Sequence, residues 1–124
     1  MLRFVLPAAS AVAQGAELLL IINASPFDTE QAAARERLLL ERARTHGVAI
    51  AYLNLVGGQD DLLFDGGSLL IEPDGTVRAR AAAFSDALLI ADYDSDRRRF
   101  TAYHWPTEQD SSRVARVYSG LLRG

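Results

Sequence analysis

An α/β fold with a mixed sheet follows from three features of the sequence. Residues 17–25 (ELLLIINAS) form a continuous apolar run ending in polar residues, the pattern of a strand buried on both faces. Residues 28–47 (DTEQAAARERLLLERARTHG) carry a helical period with start and stop signals, and residues 48–56 (VAIAYLNLV) repeat the apolar run. Strand, helix, strand is a βαβ unit, so the two strands pair in parallel through a right-handed crossover.

Residues 7–15 suit a short helix, with Pro7 in its first turn and Gly15 at its end. The helix at 28–47 is the clearest element. Asp28 stands as its N-cap with Gln31 three residues on, a capping-box pattern, and Gly47 closes it after His46. Ala32, Leu39 and Ala43 share one face, widened by Leu38 and Leu40, and the charged residues lie mostly opposite. Beyond the second strand, SLLIE and TVRARAAA flank Pro73-Asp74-Gly75, a hairpin with a turn signal. Residues 87–94 (ALLIADYD) read as a further strand and DRRRFTAYHWP as irregular. Residues 108–124 read as a terminal amphipathic helix.

Composition narrows the chemistry. A chain of 124 residues with 49% apolar content has the size and core of one domain. A net charge of −3 gives no footprint for nucleic acid or an anionic membrane. There is no cysteine, hence no disulfide, thiolate metal site or cysteine nucleophile within these residues. All 13 basic residues are arginine, so lysine is absent as a base or Schiff-base former too. The apolar start is broken by Pro7 and runs directly into core-like sequence, unlike a secretory leader. Residues 18–22 (LLLII) fall far short of the ~20 needed to cross a bilayer. The expected location is the cytoplasm.

The stretch NLVGGQDDLLFDGGS (54–68) holds four glycines, three aspartates and a glutamine between buried-looking segments, more than a turn requires. In parallel sheets, ligands sit beyond the carboxyl ends of the strands. The first strand exits into Asn23-Ala24-Ser25-Pro26-Phe27 and the second into Gly57-Gly58-Gln59-Asp60-Asp61. Parallel pairing puts both exits on one rim, where a site can be built. The same residues also suit tight turns and loop caps, and both readings stay open at this point.

AQGAELLLIINASPF, RERLLLERARTHGVAIAYLNLVGGQDDLLFDGGSLLIEPDG and ARAAAF resemble the amidase domain of bacterial glutamine-dependent NAD⁺ synthetases. That domain belongs to the nitrilase, or carbon–nitrogen hydrolase, superfamily, and the resemblance covers roughly residues 7–92. It implies part of a nitrilase-type α-β-β-α sandwich. RVARVYSGLLRG resembles the helix at which such enzymes enter their synthetase domain, so the expected division is 1–106 for the second half of the amidase domain and 107–124 for the connecting helix.

The resemblance implies a Glu-Lys-Cys triad that hydrolyses glutamine, with ammonia passing to an ATP-dependent synthetase domain that amidates nicotinic acid adenine dinucleotide. The thiolate is the nucleophile, the glutamate the base, and the lysine stabilises the tetrahedral intermediate. Counting back from Ser25 in the family pattern places the cysteine just before Met1, and the other two earlier still. No catalytic residue, metal or cofactor is therefore expected in this stretch. ATP and magnesium are expected in the synthetase domain. The implied partners are glutamine, that domain and further copies of the chain.

Ser25 matches the family serine that contacts substrate glutamine. Six residues on, the family carries a cation, and here stands Gln31. Arg35, one turn further, matches a family arginine and is the nearest positive charge. Phe27, Gln59, Asp60, Asp65 and Ser68 match the signature as rim and interdomain residues. A stand-alone degenerate nitrilase-like module for binding or assembly is the alternative, and another amidase of the superfamily is a third. Other candidates reduce to ordinary roles. Asp92-Tyr93-Asp94-Ser95-Asp96 imitates a calcium loop but has Arg97 where glycine is needed and Tyr103 where a bidentate acid is needed. Arg97-Arg98-Arg99 reads as a solvated hairpin tip.

Overall fold

The computed structural model describes residues 2–104. Its elements are α1 (Leu2–Ala13), β1 (Leu18–Asn23), α2 (Thr29–His46), β2 (Ala49–Asn54), β3 (Val56–Gln59), β4 (Leu62–Asp65), β5 (Leu69–Ile71), β6 (Val77–Arg80), β7 (Ile90–Asp94) and β8 (Arg99–His104). The expected helix at 108–124, and with it the domain boundary at 106, lies outside the described residues.

The central sheet has the order β1-β2-β5-β6. β1 and β2 run parallel in register from Leu18 opposite Ala49 to Asn23 opposite Asn54. β5 and β6 continue antiparallel, so the sheet is mixed as expected. α2 forms the crossover. The Asp28 carboxylate accepts from the N–H groups of Glu30 and Gln31, and Gly47 takes the left-handed conformation (φ 60°) that ends the helix.

Alternation along β2 divides the core in two. Ile50 and Tyr52 face α2 and pack with Leu39, Ala43, Val48, Leu69 and Ile71. Ala49 faces the opposite way and packs with Leu70, Ala79 and Phe100, the last from the β7–β8 hairpin. The buried Glu72 carboxylate accepts from the Phe100 N–H at 3.1 Å and pins that hairpin to the sheet.

Several expectations need correction. The first helix starts at Leu2, five residues before Pro7, so Pro7 lies in the second turn, where it withholds a single intrahelical donor. The stretch after β2 is no loop: β3 and β4 pair antiparallel from Val56–Asp65 to Gln59–Leu62, with Asp60 turning at φ 54°. Residues 99–104 form a strand against β7, with an irregular register at Asp92/Tyr93 that hides the period of two. Residues 95–98 make the hairpin tip as read, and Asp94 accepts from the N–H groups of Asp96 and Arg97 there.

The expectation that β1 is buried on both faces fails on one side. Leu20 is 72% and Ile22 81% exposed, and Leu53 and Leu55 beside them are exposed as well. The β7–β8 hairpin covers only the amino-terminal half of that face, around Leu18 and Ala51. The carboxyl half presents an apolar strip to solvent.

Candidate functional site

Because Asn23 and Asn54 are register partners, the two strand exits leave the sheet side by side, and the Leu55 N–H donates to the Asn23 carbonyl at 3.0 Å. Asn54 is the last residue of β2, at a position that alternation turns inward, and it is 5% exposed. A buried amide must find partners. Its Oδ1 accepts from the Ser25 N–H at 2.9 Å. Its Nδ2 donates to the Gly66 carbonyl at 2.9 Å and to Asp65 Oδ1 at 3.3 Å, with the Ser25 carbonyl at the limit of 3.5 Å. Its main-chain N–H donates to Ser68 Oγ at 3.0 Å. One side chain and its own backbone thus tie the first exit to both ends of the Asp65–Ser68 turn.

Asp65 extends the network. Its Oδ2 accepts from Arg35 Nη2 at 3.2 Å, with the two side chains 7% and 18% exposed. The Arg35 guanidinium also lies 5.7 Å from the centre of the Tyr52 ring. Burial pushes the Tyr52 hydroxyl above its ordinary ionisation value. The Arg35 charge and the neighbouring Asn23 side chain pull it back, and the Asp65 charge adds a smaller push upward.

The backbone around this network is strained where it has to turn. Gly66 and Gly67 both sit at φ 68°, two consecutive left-handed residues that glycine adopts at least cost. A Cβ on Gly66 would stand 3.2 Å from Val56 Cβ. Phe84 holds φ 59°, rare for an aromatic residue. Its N–H donates to the Asp65 carbonyl at 2.7 Å, and its ring meets Phe27 edge-to-face at 4.9 Å. Phe27 is fixed in turn by its N–H on the Leu63 carbonyl and by the Pro26–Phe64 bridge.

The structure therefore brings Ser25, Arg35, Asp65 and Ser68 into one connected cluster, with Phe27 clamped at its edge. Gln31 stands apart, exposed in the first turn of α2, where its N–H donates to Asp28. Gln59 and Asp60 are exposed at the tip of the β3–β4 hairpin, outside the network. Ser25 is half-buried, and its hydroxyl makes no hydrogen bond among the described residues, which leaves it available to a ligand. Sequence reasoning assigned no role to Asn54, Tyr52 or Phe84. An asparagine at an inward position of an apolar strand was the one readable signal.

The arrangement can hold and orient a ligand, and the sequence around it contains neither cysteine nor lysine. Among the described residues no three His, Asp or Glu side chains gather as a metal site, and no helix is long and apolar enough to cross a membrane.

Comparison with known proteins follows this geometry. The family described as carbon-nitrogen hydrolase matches residues 2–103. The glutamine-dependent NAD(+) synthetase of Xylella fastidiosa (strain Temecula1) is 49% identical over 118 residues, 95% of this chain and 22% of that protein. That of Xanthomonas campestris pv. campestris is 48% identical over 123 residues, 99% of this chain and 22% of its own length. Among solved structures, the glutamine-dependent NAD+ synthetase of Acinetobacter baumannii in complex with ADP superimposes with a TM-score of 0.73 at 28% identity, over 96% of this chain and 22% of that one. An amidase of the nitrilase superfamily from Nesterenkonia AN1 gives 0.57 at 32% identity, over 64% of this chain and 30% of that one. The chain spans 22% of the length of the curated relatives it matches first.

Proposed function

The chain belongs to the carbon–nitrogen hydrolase family, and on that premise we propose that it forms part of the glutamine-hydrolysing unit of a glutamine-dependent NAD⁺ synthetase. The observation that carries this reading is the rim cluster. Ser25, Asn54, Asp65 and Ser68, four residues of the two segments that resemble those synthetases, are the ones the fold ties together. The identity of nearly half to two such synthetases supports the same reading over a stand-alone binding module.

In this reading the thiolate, its glutamate base and the lysine come from outside these 124 residues, which contain no cysteine or lysine. The thiolate adds to the glutamine side-chain amide carbon, ammonia leaves with a proton, and water cleaves the thioester to glutamate. This chain contributes the far wall. Asn54 holds the Ser25 loop so that its unengaged hydroxyl faces the substrate, and the Asp65–Arg35 pair keeps the turn beneath it rigid. Gln31 and Arg35 stand nearest the position where the resemblance places the substrate carboxylate. ATP and magnesium serve the synthetase step, and no residue of this chain is assigned to them. Residues 1–106 belong to the amidase portion and 107–124 to the connection. The exposed strip of Leu20, Ile22, Leu53 and Leu55 favours self-association or burial against further polypeptide, and the assembled enzyme works in the cytoplasm.

The test is ammonia release from glutamine. The purified chain alone releases none above background. Joined behind a segment carrying the Glu-Lys-Cys triad of the Xanthomonas campestris relative, it restores glutamine-dependent release. Turnover by the chain alone, or a folded chimera that hydrolyses no glutamine, overturns the proposal.

A further inference from the structure

A second site lies on the other side of the sheet from the apolar strip. Between α1, α2 and the β1–β2 pair is a cavity of about 310 Å³. Ala8, Ala11, Leu19, Leu38, Leu39 and Ile50 make its apolar walls, and Asn23, Arg35, Arg42 and Tyr52 contribute its polar groups. Two of these are unsatisfied. Tyr52 is 3% exposed, and its buried hydroxyl oxygen makes no hydrogen bond of normal geometry. Arg42 Nη1 is likewise buried with no acceptor, and among the described residues no carboxylate pairs with Arg42. Arg35 is already matched by Asp65, so the charge left over in the cavity is that of Arg42.

The Tyr52 hydroxyl has the Asn23 side chain beside it, but a buried guanidinium nitrogen without an acceptor is costly, and in native structures such a group has an explanation. Water can meet the polar end of this space, but most of its wall is apolar, from Leu19, Leu38, Leu39 and Ile50, and suits a ligand with an apolar body. We propose that the cavity binds a small amphiphilic monocarboxylate, its carboxylate on Arg42 and its apolar body against Leu19, Leu38, Leu39 and Ile50. At about 30 Å³ per water-sized group the space accepts roughly ten heavy atoms, the size of an eight-carbon carboxylate. The Tyr52 hydroxyl adds a donor within the same wall. The inference does not depend on the hydrolase reading, since none of it involves Ser25 or a nucleophile.

Sodium octanoate and 1-octanol are the probes, titrated into the 124-residue chain by calorimetry, with backbone amide shifts locating the contact. Octanoate saturates one site, shifting amides around Leu39, Arg42 and Tyr52, and binds at least tenfold more tightly than octanol. Arg42→Gln exchanges a charged partner for a neutral one and weakens octanoate about tenfold, the equivalent of 1.4 kcal/mol, while leaving octanol unchanged. Arg42→Lys restores most of the affinity. Tyr52→Phe weakens octanoate a few-fold. Equal affinity for the two probes, or shifts centred on Ile22, Leu53 and Leu55, which lie outside the cavity lining, would mean adsorption on the exposed apolar strip and overturn the proposal. So would the absence of saturable binding in a chain whose amide spectrum is dispersed and folded. If Arg42→Gln disturbs the fold, Arg42→Lys with an unchanged octanoate-to-octanol ratio decides in favour, and a ratio of one decides against.

Discussion

Removing Arg35 tests whether it serves the fold or a ligand. Arg35→Met keeps the aliphatic stem but loses the guanidinium, and with it both the Asp65 pair and the contact with the Tyr52 ring, so the comparison with Asp65→Asn and the double variant isolates the ion pair. Asp65 is 7% exposed and would be left with the Asn54 amide as its side-chain partner. Breaking a buried pair by deleting one member costs about 3–5 kcal/mol. Because Arg35 is 18% exposed and the Asn54 donor remains, the low end applies, about 3 kcal/mol. Asp65→Asn keeps an acceptor for Asn54 and leaves a partly solvated arginine, at a cost of about 1–2 kcal/mol. The double variant buries no unmatched charge, so its loss falls short of the sum by about 2 kcal/mol, within the range seen for coupled neighbours. Urea unfolding followed by circular dichroism measures all four proteins, with a constant slope confirming two-state behaviour. Losses that add to within about 0.5 kcal/mol would show no coupling across the 3.2 Å contact. Arg35 would then be available to a substrate carboxylate, and the structural account of it would fail.

Asn54→Leu strands the Ser25 N–H, the Gly66 carbonyl and Asp65 Oδ1 together, and loses about 3 kcal/mol in the same unfolding assay. Asn54→Asp keeps the acceptor for Ser25 but faces Asp65 with a like charge, and destabilises at least as much; a neutral outcome for either discards the hub. Gly66→Ala meets Val56 and a positive φ at once, and is destabilised by about 1–2 kcal/mol, whereas Gly67→Ala at the same φ of 68°, with nothing within 4 Å of its Cβ, shows the conformational part alone. Tyr52 binds its proton more tightly folded than unfolded, so its contribution stands below the unfolded value near pH 10 and is lost as pH rises beyond it. Alkaline unfolding curves for wild type and Tyr52→Phe should therefore diverge only above about pH 10, and identical curves would show that the hydroxyl is not buried in solution.

Much of this fold was legible because its strongest elements announce themselves locally. Asp28 and Gly47 bracket α2 with the capping chemistry that sequence rules name, and the apolar runs of β1 and β2 admit few alternatives at their lengths. The β3–β4 hairpin was not legible. Its residues, Gly57, Gly58, Gln59, Asp60 and Asp61, have low strand propensity, and pairing with Leu62–Asp65 overrides it. β8 was hidden because the register slips at Asp92/Tyr93 and because three arginines precede its buried anchor Phe100. Of the site, sequence gave the neighbourhood and most members but not the connectivity. Nothing in DDLLFDGGS distinguishes the acid at Asp65, buried and ion-paired, from Asp60 and Asp61 at the exposed tip.

That difference explains why the stretch is so rich in glycine and acid. β2 ends on an inward amide that needs several partners, and the chain must come back to provide them. The hairpin carries it out and returns it at Asp65, where the carboxylate and the next carbonyl meet Asn54. Two left-handed residues then bring Ser68 under the Asn54 N–H, and glycine suits both, Gly66 also because a Cβ there would crowd Val56. The exposed Asp60 turns the hairpin at positive φ, a conformation that aspartate tolerates better than most residues. Asp65, Gly66 and Ser68 thus answer steric or hydrogen-bonding demands of the rim, whereas Gln59 and Asp61 stay exposed at the hairpin tip. Within the cluster itself, Asn54, Asp65 and Ser68 hold one another, but the Ser25 hydroxyl makes no hydrogen bond among the described residues. On the proposed reading, Ser25→Ala should therefore spare stability and impair glutamine use in the triad-bearing chimera. A loss of stability as large as that of Asn54→Leu would place Ser25 within the scaffold instead.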